Sequence, residues 1–592
     1  MLTRSTTDRR RRSLVRPLAA AGLLAASAAA EKVTIRGPLG PIEVDLSHVG
    51  PAGDLVAPAA PQAPALGPPT IFSAPLPSGS GARALGFAGA FTAVADDATA
   101  ASWNPAGLLH LERPEASAVL RYGVERNPHR SADANFRVGE DDFDSFGLNY
   151  VSLVWPFRAA RRNWVASLNY QEAYDFTQKF TADLTSASRR ALSESASETF
   201  QATTVQPYND GVTDLEITSY LTTRATTHLR QWLSSQVLTS LEFEQEGLID
   251  ALSPALAAQI SPKLSLGAAL NFYQDDTLGQ GRIRSRTAAR YRGDSSSSAS
   301  LQTERITTGT YRYEGVVHIP PAGGLPGFDI PVKPTTGVYP ALTSVSQTQR
   351  STALCAEGLY EEENEYDGLN GINATLGALH TVSKLLVLGA TVDLPWTAQG
   401  RQTRRVANTL TTYDRSGSRV LNVARTAAEE TADIEFHFPL YWALGSLWRW
   451  HNRFYTTFDI SQTQWSDFWY RVAGRGKINP LDGSAYDAGR IRDCWSVRTG
   501  LEWLWVLSWT EIPLRAGLSW EQRPALGDPD EYWGASLGSG ISLGKDPGRI
   551  IFDAAYLYTW GNDVMGSLVP GQAGLSTDVR KHQFFVSCVR HF

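Results

Sequence analysis

One short motif in this chain matches the spacing of a catalytic nucleophile. Residues 540–544 read Gly-Ile-Ser-Leu-Gly, the Gly-x-Ser-x-Gly pattern in which a serine attacks a carbonyl carbon. That chemistry requires a sharp turn between a strand and a helix, which exposes the serine. Here the motif lies within alternating apolar and small residues, a pattern typical of a strand. We therefore interpret the match as coincidental.

Other residues that could do chemistry are scattered. The ten His residues include no His-Glu-x-x-His pair, and only His437 is expected in mid-strand on the lumen side, so a Ser/His/acid hydrolase has little support. Acids at Glu361, Glu362, Glu363 and Glu365 could bind calcium, but a solvated face is favoured. Pairing among Cys355, Cys494 and Cys588 has no support. We predict no enzyme activity, no catalytic residues, no metal site and no cofactor.

Composition narrows the class of protein. Of the 592 residues, 19% are charged and 10% aromatic, so the chain is not disordered overall. The formal net charge of −6 gives no attraction toward nucleic acid. We therefore expect a folded protein that does not bind nucleic acid.

The first thirty residues have the features of an export signal. Five Arg precede residue 13, an apolar run covers 18–26, and small residues lead up to Ala30. This order is typical of a secretory signal peptide, which we assign to residues 1–30. No later apolar run reaches the ~18 residues of a spanning helix. An exported chain of this kind is either soluble or a β-barrel, the other structure that satisfies the backbone in lipid.

Period-2 alternation recurs along the chain. Between Leu264 and Phe272, leucine, alanine and phenylalanine occupy one parity, while serine, glycine, alanine and asparagine occupy the other. The same split recurs over 386–394, 454–461, 495–505, 514–520 and 550–560. Aromatic residues gather near the strand ends, as the girdles of a membrane barrel require. Short connections alternate with long polar stretches, which indicates about fourteen strands with short periplasmic turns and long external loops.

The last residues also fit a membrane barrel. Phe584, Val586, Cys588 and Phe592 share one parity, and the chain closes on an aromatic residue. Arg590 interrupts this parity, but an arginine near the interface costs only ~0–1 kcal/mol. We expect this final strand to be recognised by the barrel-assembly machinery.

Before the first predicted strand, residues 81–108 read Gly-Ala-Arg-Ala-Leu-Gly-Phe-Ala-Gly-Ala-Phe and continue to Asn104-Pro105-Ala106-Gly107-Leu108. This segment resembles the N-terminal signature of the long-chain fatty-acid transporter (FadL-like) outer-membrane family. Weaker similarities to the family lie at 261–267, 459–465, 513–517 and from 533 onward.

The resemblance implies an all-β, fourteen-stranded, monomeric transmembrane barrel (113–592), with an N-terminal hatch (81–112) in its lumen and lateral exit of hydrophobic substrates. The hatch residues that it implies are Asp96, Asp97, Trp103, Asn104, Pro105, Ala106 and Gly107. Two features depart from the family. Residues 31–80 are rich in proline, which favours an extended periplasmic arm. The third strand, 164–170, has no Gly or Pro to mark the kink in the wall that the family uses as its exit.

Parity also assigns residues to the lumen, because ionisable groups facing lipid are costly. The polar lumen set is Asp393, Asp459, Arg498, Glu502, Arg515 and Asp553. We expect Arg515 to pair with Asp459 or Asp553. Among the long loops 176–242 and 276–365, the segment 225–250 could include an amphipathic helix that offers a groove to a lipid tail. The candidate groove residues are Trp232, Leu233, Val237, Leu238, Leu241 and Phe243.

These observations favour passive uptake of long-chain fatty acids or other hydrophobic small molecules through the outer membrane of a Gram-negative-type bacterium. The alternative is a structural barrel that acts as a secretion or assembly scaffold. Expected partners are the hydrophobic ligand, outer-membrane lipid and lipopolysaccharide. The sequence does not identify the substrate.

Overall fold

The computed structural model describes fourteen stretches of the chain. They are residues 32–37, 40–45, 79–131, 136–139, 141–275, 277, 282–322, 325–414, 417–481, 484–488, 491–525, 528–544, 548–564 and 575–592. The predicted signal peptide, residues 1–30, lies outside them, as does most of the predicted arm.

The described part of the arm is a hairpin. Strands β1 (Lys32–Gly37) and β2 (Gly40–Asp45) pair antiparallel, with Val33 opposite Val44 and Ile35 opposite Ile42. The proline content suggested an extended chain here, but β-branched residues at alternate positions favour a strand. Residues 46–78 are outside the described stretches.

The other described strands, twenty-two in number, form one antiparallel sheet. They are β3 (Glu115–Asn127), β4 (His129–Ser131), β5 (Phe136–Val138), β6 (Asp141–Ala159), β7 (Arg162–Asp175), β8 (Gln178–Asn209), β9 (Thr213–Glu246), β10 (Leu248–Ser261), β11 (Leu264–Gln274), β12 (Ile283–Ile319), β13 (Phe328–Thr381), β14 (Leu386–Asp393), β15 (Trp396–Tyr413), β16 (Val420–Phe438), β17 (Tyr441–His451), β18 (Phe454–Thr463), β19 (Trp469–Val472), β20 (Cys494–Val506), β21 (Glu511–Arg523), β22 (Asp530–Leu543), β23 (Ile550–Val564) and β24 (Leu575–His591).

Fourteen of these strands close into a barrel, as the sequence predicts. Around the wall they follow the order β3, β6, β7, β10, β11, β13, β14, β17, β18, β20, β21, β22, β23 and β24. The last strand then pairs with the first, from Arg580 opposite Arg126 to His591 opposite Glu115. Closure leaves no free edge on the cylinder, which is the condition for a sheet in lipid.

The predicted parity is also present. Apolar side chains such as Leu120, Leu153 and Leu518 are exposed on the outer wall, whereas polar Asp459 and Arg515 are buried on the lumen side. In the last strand Phe584 and Val586 are exposed and Ser587 is buried. An apolar outer wall around a polar interior is the arrangement of a membrane-spanning barrel. No helix among the described residues is long and apolar enough to cross a membrane.

The regions predicted as long loops, 176–242 and 276–365, are mainly strands. β8, β9, β12 and β13 prolong the barrel wall into a tall extension, and β15 and β16 join its lower part. At about 3.3 Å per residue, the 32 residues of β8 rise roughly 100 Å. The loop prediction failed because Ser and Thr occupy both faces of these strands, so no hydrophobic period marks them. Their β-branched Thr residues nonetheless favour extended backbone.

Charges alternate from strand to strand on the outward face of the extension. Glu residues of β9 lie opposite Arg residues of β12, as at Glu246 and Arg284. Arg284 lies 3.1 Å from Glu365 of β13 on its other side. Further along, Arg405 of β15 contacts Glu429 of β16 at 3.7 Å. We call these rows of like charge the charge columns.

Residues 79–111, which we call the N-terminal segment, lie inside the barrel. The segment contains two short helices, α1 (Ala82–Gly86) and α2 (Ala100–Trp103), and two-turn 3₁₀ helix Pro105–His110. Its backbone bonds to lumen side chains: Thr92 N donates to Asp459 at 2.8 Å, and Ser536 donates to the Gly86 carbonyl at 3.0 Å. The segment therefore fills part of the lumen.

Glycines on the lumen wall allow this close approach. A Cβ atom at Gly389 would lie 2.8 Å from the Cα of Ala93, and one at Gly517 would overlap the Phe87 backbone. Strand after strand, small residues let the segment pack backbone against backbone. The Gly-rich polar parity of the sequence is explained by this packing.

We predict that Gly389→Leu displaces the N-terminal segment, because its side chain needs the space of Thr92 and Ala93. Single-channel conductance in planar bilayers should rise toward that of a deletion of residues 81–108. Gly476→Leu is the control, since a Cβ there meets nothing within 4 Å. Unchanged conductance in both the Gly389 variant and the deletion would contradict this placement.

Candidate functional site

A cavity of about 360 Å³ lies between the N-terminal segment and the base of the extension. Trp103 and Gly89 of the segment line one end. Its side walls come from the lumen faces of strands on all sides of the barrel. The cavity has an aromatic wall and a charged wall, described in turn.

The aromatic wall is a stack of rings. Tyr273 and Trp396 are parallel at 3.9 Å between ring centroids, and Trp396 and Phe438 are parallel at 4.5 Å. Tyr174 packs on Phe438 at 4.6 Å. All four are buried within one apolar cluster that continues to Trp465. Flat, polarisable rings of this kind favour apolar ligands.

A bulge in β7 brings part of this wall into the lumen. Glu172 pairs with Asp250 of β10, but Tyr174 pairs with the adjacent Ile249, so Ala173 is an extra residue on β7. One extra residue reverses which parity faces inward. Tyr174 and Phe176 have the parity that faces outward in the lower part of β7. Above the bulge, this parity faces inward, so both residues line the cavity.

The charged wall contains three basic side chains, Arg498, Arg523 and Lys581, and two acidic ones, Glu521 and Glu125. Arg523 donates to Glu521 at 2.6 Å, and Arg498 donates to the same carboxylate at 3.4 Å. Lys581 lies 3.3 Å from Glu125. Because two guanidinium groups share one carboxylate, this wall can accept a further anionic group.

The six polar residues predicted for the lumen are on the lumen side. Asp393 and Arg498 line the cavity, and the other four lie below it against the N-terminal segment. Arg515 donates to Glu502 at 2.6 Å and to Asp553 at 2.5 Å. Asp459 accepts instead from Thr92 of the segment. Glu502 is therefore a partner of Arg515 that the sequence did not indicate.

Most of the residues predicted for a hatch fix the fold of the N-terminal segment through hydrogen bonds and close packing. Asn104 donates to the carbonyls of Thr92 and Ala378, and it accepts from Ala106 N. Pro105 begins the 3₁₀ helix, where its fixed φ is favourable, and Ala106 and Gly107 are buried beside it. A Cβ at Gly107 would overlap Ala95.

The acidic pair and the tryptophan have separate contacts. Asp97 accepts from Thr99, and Trp103 donates to the Ser80 carbonyl at 2.9 Å while lining the cavity. Asp96 lies 3.1 Å from Arg83. Arg83 also donates to Tyr455 of the wall at 3.0 Å. Arg83 is not among the residues predicted for the site, although it is the single arginine among the small residues of 81–108.

The groove predicted in segment 225–250 is wrong. The segment is strand β9, not a helix, so its apolar residues do not share one face. Trp232 is 56% exposed and Leu238 also points outward, whereas Phe243 is buried against Phe180 on the opposite face. Val237 and Leu241 are partly buried on that inner face, and Leu233 is a strand residue. The alternation of faces was hidden because its apolar residues are irregularly spaced.

Three other predictions concern isolated residues. Ser542 lies in strand β22, as the coincidental interpretation of Gly540–Gly544 requires. His437 was expected toward the lumen, but it has the outward parity of β16, bonded to Thr397 at 2.8 Å and stacked on Trp469. The three cysteines form no disulfide in the described part of the chain.

The acidic cluster at 361–365 is paired with arginine. Glu362 accepts from Arg404 at 2.7 Å, and Glu361 lies 3.1 Å from Arg286. Burial by itself raises the pKa of Glu362, but hydrogen bonds from Arg404 and Tyr360 outweigh burial and hold this pKa below its usual range. Glu362 belongs to the part of β13 above the membrane-spanning residues. These acids form cross-strand ion pairs.

Comparisons with known proteins give structural likenesses only. No family model and no curated protein matches the chain. Among solved structures, a Pseudomonas aeruginosa FadL homologue is similar at 14% identity and a TM-score of 0.45, over 88% of this chain and 100% of that one. The Ralstonia pickettii toluene transporter TbuX matches at 12% identity and a TM-score of 0.40, over 87% and 98%. The P. putida toluene transporter TodX matches at 13% and 0.39, over 87% and 99%.

The first of these structures carries the name of the family that the N-terminal sequence resembles. At such low identities and TM-scores the likenesses carry no argument about function. The pairing of its strands and its apolar outer wall define this chain as a membrane-spanning β-barrel with a cavity in its lumen.

We predict that the extension loses stability as the pH falls. A carboxyl whose pKa is lower in the folded state stabilises that state above the unfolded pKa of about 4.3, and this contribution disappears as pH falls through the folded pKa. Limited proteolysis of the purified barrel should therefore cut the extension faster near pH 3 than at pH 7.

Arg404→Gln should make the extension sensitive at neutral pH, because it leaves Glu362 partly buried without its ion partner, at a cost of about 3 kcal/mol. Arg286→Gln is the matched control, since its ion pair with Glu361 is exposed and worth under about 1 kcal/mol. Equal proteolysis of the two variants at pH 7 would contradict the assignment.

Proposed function

We propose that this protein is an outer-membrane transporter for the passive uptake of long-chain fatty acids or other hydrophobic small molecules. The observation that carries the proposal is an aromatic-walled cavity, enclosed in a closed barrel, that reaches an interruption in the barrel wall. The N-terminal segment acts as a hatch below the cavity. Transport runs downhill and is drawn by consumption inside the cell.

The size of the hydrophobic effect requires such a cavity. Transfer of a sixteen-carbon chain out of water is worth ~0.8 kcal/mol per CH₂, or about 12 kcal/mol in total. At every step of transport, apolar contacts with the carrier must replace most of this free energy. Otherwise the ligand stays in micelles or lipid. The stacked rings of Tyr273, Trp396 and Phe438 supply apolar surface at the entry to the lumen.

The charged wall supports an acidic head group on the ligand. Arg498 and Arg523 share Glu521 on the side of the cavity that faces away from the ring stack. A carboxylate between these guanidinium groups would complete the charge balance. A fatty acid satisfies both walls at once, whereas a hydrocarbon satisfies only the aromatic one.

The interruption in the wall lies between β6 and β7. The two strands pair only as far as Tyr150 opposite Gln171. Beyond that point the upper part of β6 pairs with β3, and β7 pairs only with β10. Phe143 and Gln171, one on each side of the interruption, line the cavity.

The strand β7 bends inward at this place. Glu172 has the outward parity of the lower strand, but it is 0% exposed and lies beside Gly147 on the lumen side of β6. On the outer surface Phe146 is 73% exposed at the same level, together with Tyr122. We propose that this gap is the lateral exit, which opens toward lipid. In this proposal the gap takes the role of the wall kink, for which the third predicted strand, 164–170, offers no Gly or Pro.

Cellular context follows from the same proposal. The signal peptide would export the chain to the outer membrane, where the barrel-assembly machinery would recognise the C-terminal strand. The mature barrel would act as a monomer among outer-membrane lipid and lipopolysaccharide.

We predict that Trp396→Ala weakens ligand binding about tenfold, which corresponds to 1.4 kcal/mol of lost ring contact. Binding of labelled oleate to the purified barrel measures this, and uptake in a strain without its own outer-membrane transporter measures transport. Trp232→Ala is the control, because that tryptophan is exposed on the extension. If sugars pass while neither oleate nor a hydrocarbon does, the protein is an aqueous porin and the proposal fails.

We predict that Gly147→Trp blocks the exit without affecting the cavity. Its indole ring would fill the gap and take the place of the Glu172 side chain, so uptake of oleate should fall while oleate binding to the purified barrel is retained. Gly476→Trp is the control, because it lies after β19, away from the gap, and a Cβ there meets nothing within 4 Å. Equal uptake by the two variants would rule out this route.

A further inference from the structure

Three charged side chains span the gap between β6 and β7. Arg121 of β3 lies 2.6 Å from Glu172 and 3.0 Å from Asp175, both on β7. Its other terminal nitrogen donates to Ser145 of β6 at 3.1 Å. One guanidinium group thus connects the strand pair β3–β6 with the strand on the far side of the gap.

The contact crosses a place where the backbone makes no connection. Above Tyr150 and Gln171 the two strands have no paired residues, and Gly147 of β6 stands between Arg121 and Glu172. Because Gly147 has no side chain, the arginine can reach over β6 to the acids. On the other side of this point, β6 and β7 are paired from Tyr150 opposite Gln171 to Ala159 opposite Arg162.

The cluster is also largely buried, although two of its members, Arg121 and Asp175, line the cavity. The Arg121 side chain is 5% exposed and Glu172 is fully buried. Separation of buried charges is unfavourable unless water or another ion replaces the lost partner. A contact of this kind has two well-defined states, paired or hydrated, and is therefore suited to hold a gap closed until the site is occupied.

We propose that Arg121, Glu172 and Asp175 form an ionic latch that holds the kinked part of β7 against β6 and controls the width of the lateral exit. The proposal rests on the proposed function only for the identity of what leaves through the gap. The structural part of the proposal concerns the distance between β6 and β7, and a measurement of that distance tests it directly.

The test uses spin labels on the two sides of the gap. Phe146→Cys of β6 and Glu244→Cys of β9 place labels at exposed positions, and Glu244 lies beside Lys179 of β8, the strand that follows β7. The three native cysteines of the full-length chain are replaced by serine. Double electron–electron resonance on the purified barrel gives the distance distribution. Arg121→Gln and Glu172→Gln should each shift it to longer and broader values, and should speed release of labelled oleate from the loaded barrel.

Arg515→Gln is the matched control. Arg515 is an equally buried arginine with two carboxylate partners, Glu502 and Asp553, but it lies between strands that are joined by backbone hydrogen bonds. Its loss should leave the distance between the labels unchanged.

Identical distance distributions in the wild type and both latch variants would overturn the proposal, as would a wider gap without faster release. If the wild-type barrel binds no oleate or hydrocarbon at all, the proposed function fails. The distances then still decide whether the three charges hold the gap closed.

Discussion

The requirement that every backbone N–H and C=O group in lipid finds a partner governs this structure. A bilayer offers no water to an unpaired peptide group, so a sheet can cross it only when its first and last strands pair. Pairing of β24 with β3 meets that requirement and encloses a lumen. The ladder is relaxed between β6 and β7, where Arg121 supplies side-chain contacts in its place. The pairing of backbone groups thus encloses the lumen, and the place between β6 and β7 where pairing is relaxed is the proposed exit.

Inside the barrel, two kinds of contact divide the lumen between plug and cavity. On the glycine-rich part of the wall, the N-terminal segment packs against bare backbone at sites such as Gly389 and Gly517. Polar anchors such as Asp459 fix it in place without filling the space above it. Higher up, large rings such as Trp396 and Phe438 stack along one wall of the lumen. The cavity lies above the level at which the N-terminal segment packs against the glycine-rich wall.

Sequence reasoning recovered the barrel because lipid enforces a strict alternation. The outward position of Leu518 and the inward position of Arg515 both follow from parity, and the alternation of short and long connections gives the count of fourteen strands. A β-bulge changes the parity of a strand through one extra residue, and such bulges could not be predicted from the sequence. The bulge at Ala173 has no distinctive residue, yet it decides that Tyr174 lines the cavity. The contact of Arg83 with Tyr455 joins positions far apart in the chain, which no local pattern records.

The tall extension escaped prediction for a different reason. In the barrel, burial of one face selects the register, but Ser and Thr cover both faces of β8 and β12, so hydrophobic matching distinguishes few arrangements. The turn between β8 and β9, Asn209-Asp210-Gly211, is a single short signal within a long polar stretch, so the sequence favours a loop there.

The charge columns bear on how such polar strands find their neighbours. A strand that carries arginines outward, such as β12, can lie beside β9 or β13, whose outward residues are glutamates. Direct pairing of β9 with β13 would set glutamates against glutamates, and like charges directly opposite are destabilising. If a strand slips by two residues, arginines still lie opposite glutamates. The charge columns therefore specify which strand is the neighbour, whereas other contacts must set the register. In the extension, the sign of the outward charges therefore selects which strands become neighbours, where hydrophobicity does not distinguish between them.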